Sequence, residues 1–346
     1  MIERHRMNPI IRPVDVKPSI EGYRVRGAFN PGAILFRNQI LLLLRVAETC
    51  QPRDGYVRTP IYRFGDAGSH ADIVEFKADD PDLKLTDARG LVHKGQVFLS
   101  TASHIRIARS YDGVRFTVDD KPFIFPADES EKYGVEDARA TFIDGKYYVN
   151  YTAVSQDSWA TALAVTQEFK SVRRKGLIFY PENKDVAIFP EKVGGNYIAL
   201  HRPNNSGFGK ASIWYAESPD LLHWGNHKCI LRPSTAPWES IKIGAGPPPI
   251  RTSEGWLVIA HGKGDGGVYS LFCILLDLEE PWRVVKRAKK PFLTPTEPYE
   301  TDGFFGSVLF SNGAIEKDGK VFIYYGAADE TTCLAITDVD GLLESF

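Results

Sequence analysis

Two adjacent carboxylates and a guanidinium, Glu136, Asp137 and Arg139, stand in the string YGVEDARAT, just ahead of an apolar run and an Asp144-Gly145 turn. A carboxyl kept protonated can pass its proton to a leaving oxygen, which glycoside cleavage requires. Asp137 is the better candidate for that acid. In a strand or turn Glu136 points to the opposite side, and a like charge close by in a narrow channel raises a carboxyl pKa. The same residues could instead form a structural ion pair between Asp137 and Arg139. The tripeptide recurs as Asp87-Ala88-Arg89, 50 residues earlier. That recurrence suggests a repeated unit, with substrate contact and ion pairing equally open for Asp87 and Arg89.

Further polar motifs precede apolar strands along the chain: Asn30-Pro31-Gly32, Asn183-Lys184-Asp185, Lys242-Ile243-Gly244-Ala245-Gly246 and Asp302-Gly303. His104 in TASHIRIA, His201-Arg202-Pro203 after YIAL, and His261 in IAHG lie near strand ends. A structural role is as open for each histidine as a substrate contact. Glu239, between Trp238 and Ser240, could activate a water or stand as a solvated loop glutamate. Carboxylates accept pairs of hydroxyl hydrogens, Arg and Asn donate to hydroxyls, and aromatic rings cover the apolar faces of sugars. The mixture therefore suits a carbohydrate. No metal-ligand spacing, phosphate loop or nucleophile elbow is present. GKGDGG at 262–267 reads as a hairpin tip, since no helix follows it.

Long helical patterns are almost absent. Short β-rich runs alternate with turns at Lys94-Gly95, Asp144-Gly145, Gly194-Gly195, Glu254-Gly255 and Asp318-Gly319. Outer strands end in similar turns, among them SYDGVRF, ESPDLLHW and TDVDGLL. A period near 47–60 residues with about four strands per unit predicts an all-β fold, a β-propeller with an axial pocket. A pair of β-sandwiches with similar hairpins is the alternative. Six hairpins give six blades, or five with one hairpin absorbed into closure. The chain is expected to form a single domain over 1–346. Pro-rich residues 1–27 would pack on or close the ring, or form contacts of a homo-oligomer.

Charge is balanced at −2 over 346 residues. No basic face is offered to nucleic acid or an anionic membrane. The opening MIERHRMNPIIRP lacks an apolar core for a secretory signal, and no apolar run approaches the roughly 18 residues of a transmembrane helix. The four cysteines lie far apart and read as buried thiols. These features suit a cytoplasmic protein.

At these residues the sequence resembles glycoside hydrolase family 130, the β-mannoside phosphorylases and β-mannosidases. The matching strings include AFNPGAI (28–34), LLLRVAE (42–48), YGVEDARAT (133–141), PENKDVAIFPEK (181–192), ALHRP (199–203), KIGAGPPPI (242–250) and DGFFGSVLFSNGAI (302–315). The resemblance implies a five-bladed β-propeller, an inverting reaction and Asp137 as general acid. It implies a mannose-containing oligosaccharide as substrate, nearest to β-1,2-linked mannosides, with no cofactor. Asn30, Arg45, Asp87, Arg89, His104, Glu136, Arg139, Lys184, Asp185, His201, Arg202, Lys242, His261 and Asp302 become candidate substrate ligands.

Hydrolysis needs a carboxylate that activates water; phosphorolysis needs cations that hold phosphate. Many phosphorylases of the family carry an arginine in the loop after the strand corresponding to YYVNYTAV. Here that loop reads Ser155-Gln156-Asp157-Ser158-Trp159. The aspartate would repel phosphate, and Glu239 offers a base, so hydrolysis is the expected reaction. The alternative is a phosphorylase that takes inorganic phosphate as co-substrate, through Lys184, Arg202, Lys242 and His261, and releases α-mannose 1-phosphate. A sugar-binding propeller without catalysis is a third reading. Loops 203–211 and 231–240 are expected to set linkage and chain length.

Overall fold

Turn dipeptides impose the hairpins. Lys94-Gly95, Asp144-Gly145, Gly194-Gly195 and Asp318-Gly319 all have positive φ at both positions. That is the conformation whose twist matches two paired strands. The computed structural model describes residues 2–66, 68–204 and 207–346. Among them the strands form five antiparallel groups in chain order. The first joins Tyr23–Phe36, Gln39–Cys50 and Ala102–Ser110, with Thr117–Val118 at its edge. The second runs Gly134–Ile143, Lys146–Val154, Trp159–Thr166 and Arg173–Phe179. The third runs Asn183–Ile188, Tyr197–Pro203, Ile213–Ser218 and Gly225–Leu231. In the fourth, Lys242–Ala245 and Ile250–Arg251 pair with Trp256–Lys263, followed by Tyr269–Leu276 and Val284–Arg287. The fifth holds Leu309–Lys317, Lys320–Ala327 and Thr331–Thr337.

The sixth expected hairpin has another place. Gly90–His93 and Gln96–Leu99 join Leu83–Asp87 in a separate three-stranded sheet. With the hairpin Tyr56–Gly65/Gly68–Lys77, this sheet forms an excursion that leaves the first group after Cys50 and returns at Ala102. Asp87-Ala88-Arg89 is a turn of that excursion and does not occupy the phase of residues 137–139.

Apolar clusters fill the space between successive groups. Leu41, Ile105 and Ile107 meet Val135, Ala140 and Val149 between the first and second. Leu163 and Ile178 meet Val186 and Ala216 between the second and third. Ile198 and Tyr215 meet Trp256 and Phe272 between the third and fourth. Leu257 and Cys273 meet Ile323 and Tyr325 between the fourth and fifth. Tyr324 and Leu334 meet Ala28, Leu42 and Leu44 between the fifth and the first. Each fully buried large aliphatic side chain contributes roughly 1.5–3 kcal/mol.

The leading strands of the groups carry matching irregularities. Their pairing registers break after Phe29, Glu136, Lys184 and Phe310. Asn30, Asp137 and Asp185 sit at three of these bulges with φ of 47°, 52° and 56°. Asn and Asp tolerate this left-handed region better than other non-glycine residues, and a bulge re-aims the side chain it carries. The leading strands also approach closely. A Cβ on Gly32 would lie 2.3 Å from the Ala138 carbonyl oxygen, and one on Gly313 2.5 Å from the Ala33 nitrogen.

The N-terminal segment lies along the last group. Glu3 and Arg4 pair with Ile336 and Ala335, and Ile11 bridges Thr332. Arg4 donates two hydrogen bonds to the buried Glu300 carboxylate, at 2.8 and 2.9 Å. No helix among the described residues is long and apolar enough to cross a membrane.

Candidate active site

The bulged strands open onto a cavity of about 420 Å³ to which all five groups contribute. Asn30 and Arg45 come from the first group, and Glu136 and Asp137 from the second. Lys184 and Arg202 come from the third, Lys242 and Tyr269 from the fourth, and Phe310 and Asp329 from the fifth. The excursion adds Asp87 and Arg89.

Both carboxylates of the Glu136-Asp137 pair line this cavity, so they do not diverge as a regular strand would require. The bulge between Glu136 and Arg139 cancels the alternation. Asp137, 5% exposed, accepts from Asn30 Nδ2 at 3.1 Å and from Arg45 Nη1 at 3.4 Å. Arg45 Nη2 donates to Glu136 at 2.7 Å, and the guanidinium lies 4.8 Å from the Phe29 ring. Burial raises the pKa of Glu136, and Arg45 opposes that shift. Asp329 is pushed up to about 6, chiefly by burial, with Arg45 opposing and Asp137 reinforcing. Arg89 holds Asp87 at 2.9 Å and stacks 3.8 Å from the centre of the Phe305 ring. This contact lowers the pKa of Asp87.

Cations gather in the same cavity. Lys184 and Arg202 are register partners on paired strands. Lys184 Nζ lies 5.7 Å from the Trp159 ring, and Lys242 Nζ lies 5.1 Å from the Tyr269 ring. Among the described residues neither ammonium forms an ion pair with a carboxylate. The pKa of Lys242 falls to about 6, first by burial and then by repulsion from Arg202 and Lys184. A multiply charged anion with acceptor oxygens would relieve that repulsion.

The other candidate residues do not line the cavity. Arg139 is buried and donates to the Gly246 and Ala245 carbonyls at 2.7 and 3.0 Å, tying the second group to the fourth. Asp185, 2% exposed, lies within 3.5 Å of three cationic or imidazole groups and is enclosed by them. His201 is buried between Asn183 and His227 and stacks on Phe179. His104 is fully buried and accepts from Arg106 at 3.0 Å. His261 packs on the Phe310 ring at 4.3 Å. Asp302 is exposed and borders a separate groove beside Arg12 and Glu330. Glu239, 2% exposed, is bound by Ser234 and by the Arg287 guanidinium. Its carboxylate is thus already engaged away from the cavity.

Sequence reasoning overlooked Asp329, Trp159, Tyr269, Phe304 and Phe305, all in the cavity wall. Two adjacent phenylalanines after a polar Asp302-Gly303 step were a usable signal for an aromatic platform. Asp329 follows a strand end with φ of 50° and carried none. Loop 231–240 does not line the cavity, nor do the described residues of loop 203–211; residues 205 and 206 lie outside the described residues.

A family model described as beta-1,4-mannooligosaccharide phosphorylase matches residues 91–346. The beta-1,2-mannobiose phosphorylase of Listeria innocua serovar 6a is 44% identical over 333 residues, covering 95% of this chain and 93% of that protein. The 1,2-beta-oligomannan phosphorylase of Thermoanaerobacter sp. strain X514 is 40% identical over 68% of this chain and 79% of its own length. The structure of the Listeria innocua beta-1,2-mannobiose phosphorylase in complex with beta-1,2-mannobiose superposes with a TM-score of 0.95. It shares 42% identity with this chain and covers 99% of it and 98% of that chain. These relatives overturn the expectation of hydrolysis, because they are named phosphorylases. Loop 155–159 does not set a negative charge against a phosphate in the cavity. Asp157 is exposed and outside the cavity wall, while Trp159 is in it.

Proposed function

Because this chain belongs to glycoside hydrolase family 130, we propose that it is an inverting β-mannoside phosphorylase acting on β-1,2-linked mannosides, with mannobiose as the leading substrate. The observation that carries this reading is the trio Lys184, Arg202 and Lys242 in one cavity with Asp137. A phosphate oxygen attacks C1 from the face opposite the glycosidic oxygen. The C1–O bond breaks, Asp137 supplies the proton to the leaving oxygen, and α-mannose 1-phosphate and free mannose result. Inorganic phosphate is the co-substrate, and no cofactor enters these steps. Asn30 and Arg45 hold the Asp137 carboxyl group. The aromatic residues Phe29, Phe304, Phe305 and Tyr269 offer faces for sugar rings.

The five strand groups are read as the blades of a five-bladed β-propeller forming a single domain, with residues 1–27 packed on its closure. The five apolar clusters between successive groups, the last joining fifth to first, support this reading.

The test is to incubate the protein with β-1,2-mannobiose, with and without inorganic phosphate. Strict dependence on phosphate, with one α-mannose 1-phosphate formed per mannose released, is expected. Turnover at the same rate without phosphate, giving only free mannose, would sink the proposal.

A further inference from the structure

A buried carboxylate stands behind the basic trio of the cavity. Asp185 Oδ2 lies 3.1 Å from Arg202 Nη1 and 3.3 Å from His261 Nε2, and Oδ1 lies 3.5 Å from Arg139 Nη2. Asp185 follows Lys184 directly in the chain, at the bulge where the pairing register with Tyr197–Pro203 breaks. Its φ is 56°. Lys184 then faces the cavity while Asp185 lies behind its wall.

The third cation is tied to the same carboxylate by packing. A Cβ on Gly244 would stand 2.5 Å from Asp185 Oδ2 and 2.6 Å from the His261 ring. The absence of a side chain there lets the strand that begins at Lys242 lie against the carboxylate. Arg139 completes the link by donating to the carbonyls of Ala245, the last residue of that strand, and of Gly246 just beyond it.

We infer that Asp185 is the positioning residue of the phosphate subsite, an inference that rests on the phosphorylase reading. It does not touch the substrate. One carboxylate orients the Arg202 guanidinium, fixes the backbone next to Lys184, and seats the strand of Lys242. It thereby holds three basic groups together before phosphate arrives. Basic groups brought together repel once charged, and an internal anion beside them offsets that repulsion in the empty site. His261 is the second contact of that carboxylate. It is fully buried, and burial lowers its pKa to about 4. It is therefore a neutral spacer at physiological pH and adds no charge to the trio.

The experiment is two-substrate steady-state kinetics on Asp185→Asn and His261→Gln, together with thermal unfolding with and without 10–50 mM phosphate (about that range, well above a typical KM). For Asp185→Asn the KM for phosphate should rise roughly tenfold to a hundredfold, the scale seen when an outer partner of a bound-ion ligand is lost. The KM for β-1,2-mannobiose should stay within about twofold, as expected of an effect confined to one subsite. The rise in Tm on adding phosphate should disappear, while that on adding mannose is kept. His261→Gln should raise only the KM for phosphate, severalfold. Equal rises in both KM values, or an unchanged phosphate KM, would overturn the inference by reducing Asp185 to a general structural ion pair. If Asp185→Asn does not fold, an unchanged phosphate KM in His261→Gln overturns it equally. A wild-type protein that ignores phosphate would instead refute the proposed function, so the two failures are distinct.

Discussion

Lys242 and Asp329 titrate near the same pH from opposite directions, one brought down to about 6 and the other up to about 6. As pH falls through that value the cavity gains one positive charge and loses one negative charge. Phosphate binding should therefore strengthen from pH 8 towards pH 6, beyond what the ionisation of phosphate itself accounts for. Lys242→Met should weaken phosphate binding and flatten that profile; kinetics from roughly pH 4 to pH 8 (about two units either side of the shifted value) in both proteins checks this. The stability signs are opposite. The raised Asp329 contributes stability that is present below its ordinary value of 3.8 and is lost as pH rises through about 6. The depressed Lys242 contributes stability present above its ordinary 10.5 and lost as pH falls through about 6. At Asp137, replacement by Asn keeps the shape and removes the transferable proton. Turnover should fall by about 10²–10⁴-fold, with mannobiose affinity by calorimetry within a few fold; full activity would refute the acid assignment. Asp137 was legible in the sequence because two adjacent carboxylates and an arginine before a strand are an unusual polar cluster. Asp329 was not, because a lone aspartate after a strand end looks like any turn residue.

At the scale of the strand, the bulge decides which residues reach the substrate. Alternation assigns Glu136 and Asp137 to opposite faces, yet both face the cavity because one residue of register is lost between them and Arg139. No periodicity in the sequence announces that slip. Its traces were the Asn and Asp residues at the three left-handed positions and the nearby glycines, which read as polar motifs and turns. Gly32→Ala tests the arrangement. The new Cβ would start 2.3 Å from the Ala138 carbonyl oxygen, on the backbone next to Asp137. One strand must move, so urea denaturation should show a loss of about 1–3 kcal/mol, and kcat should fall more than the KM for mannobiose rises. A variant with wild-type kcat would mean that Asp137 tolerates displacement of its strand. Among the strands, the hairpin turns were the most legible feature, since their dipeptides dictate φ. The excursion at 51–101 was the least, because its short hairpins look like those of the main groups.

For the whole molecule, the N-terminal segment is a structural part of the last group. Arg4 supplies the cationic partner of Glu300, which is fully buried and also accepts from Tyr325 and two backbone N–H groups. Burial would raise the pKa of Glu300, but Arg4 and these donors outweigh it and lower it. The resulting stability is present above the ordinary value of 4.5 and is lost as pH falls through the lower folded value. Arg4→Ala should cost on the order of 3 kcal/mol at pH 7, measured by urea denaturation, with the deficit shrinking under acid. The all-β class was legible because hairpin spacing is a local property. The number of groups was not, because it depends on which hairpins pair with which, and the sequence alone does not record that partner choice. The pairing of Glu3–Arg4 with Ala335–Ile336 also sets a timetable for biosynthesis. Glu3 and Arg4 emerge long before Ala335 and Ile336 and wait for them before their strand is paired. The cavity draws a side chain from every group, so an emerging chain can bury core after core and still hold no usable site. The cavity wall is complete only once the fifth group, which brings Phe310 and Asp329, has been released.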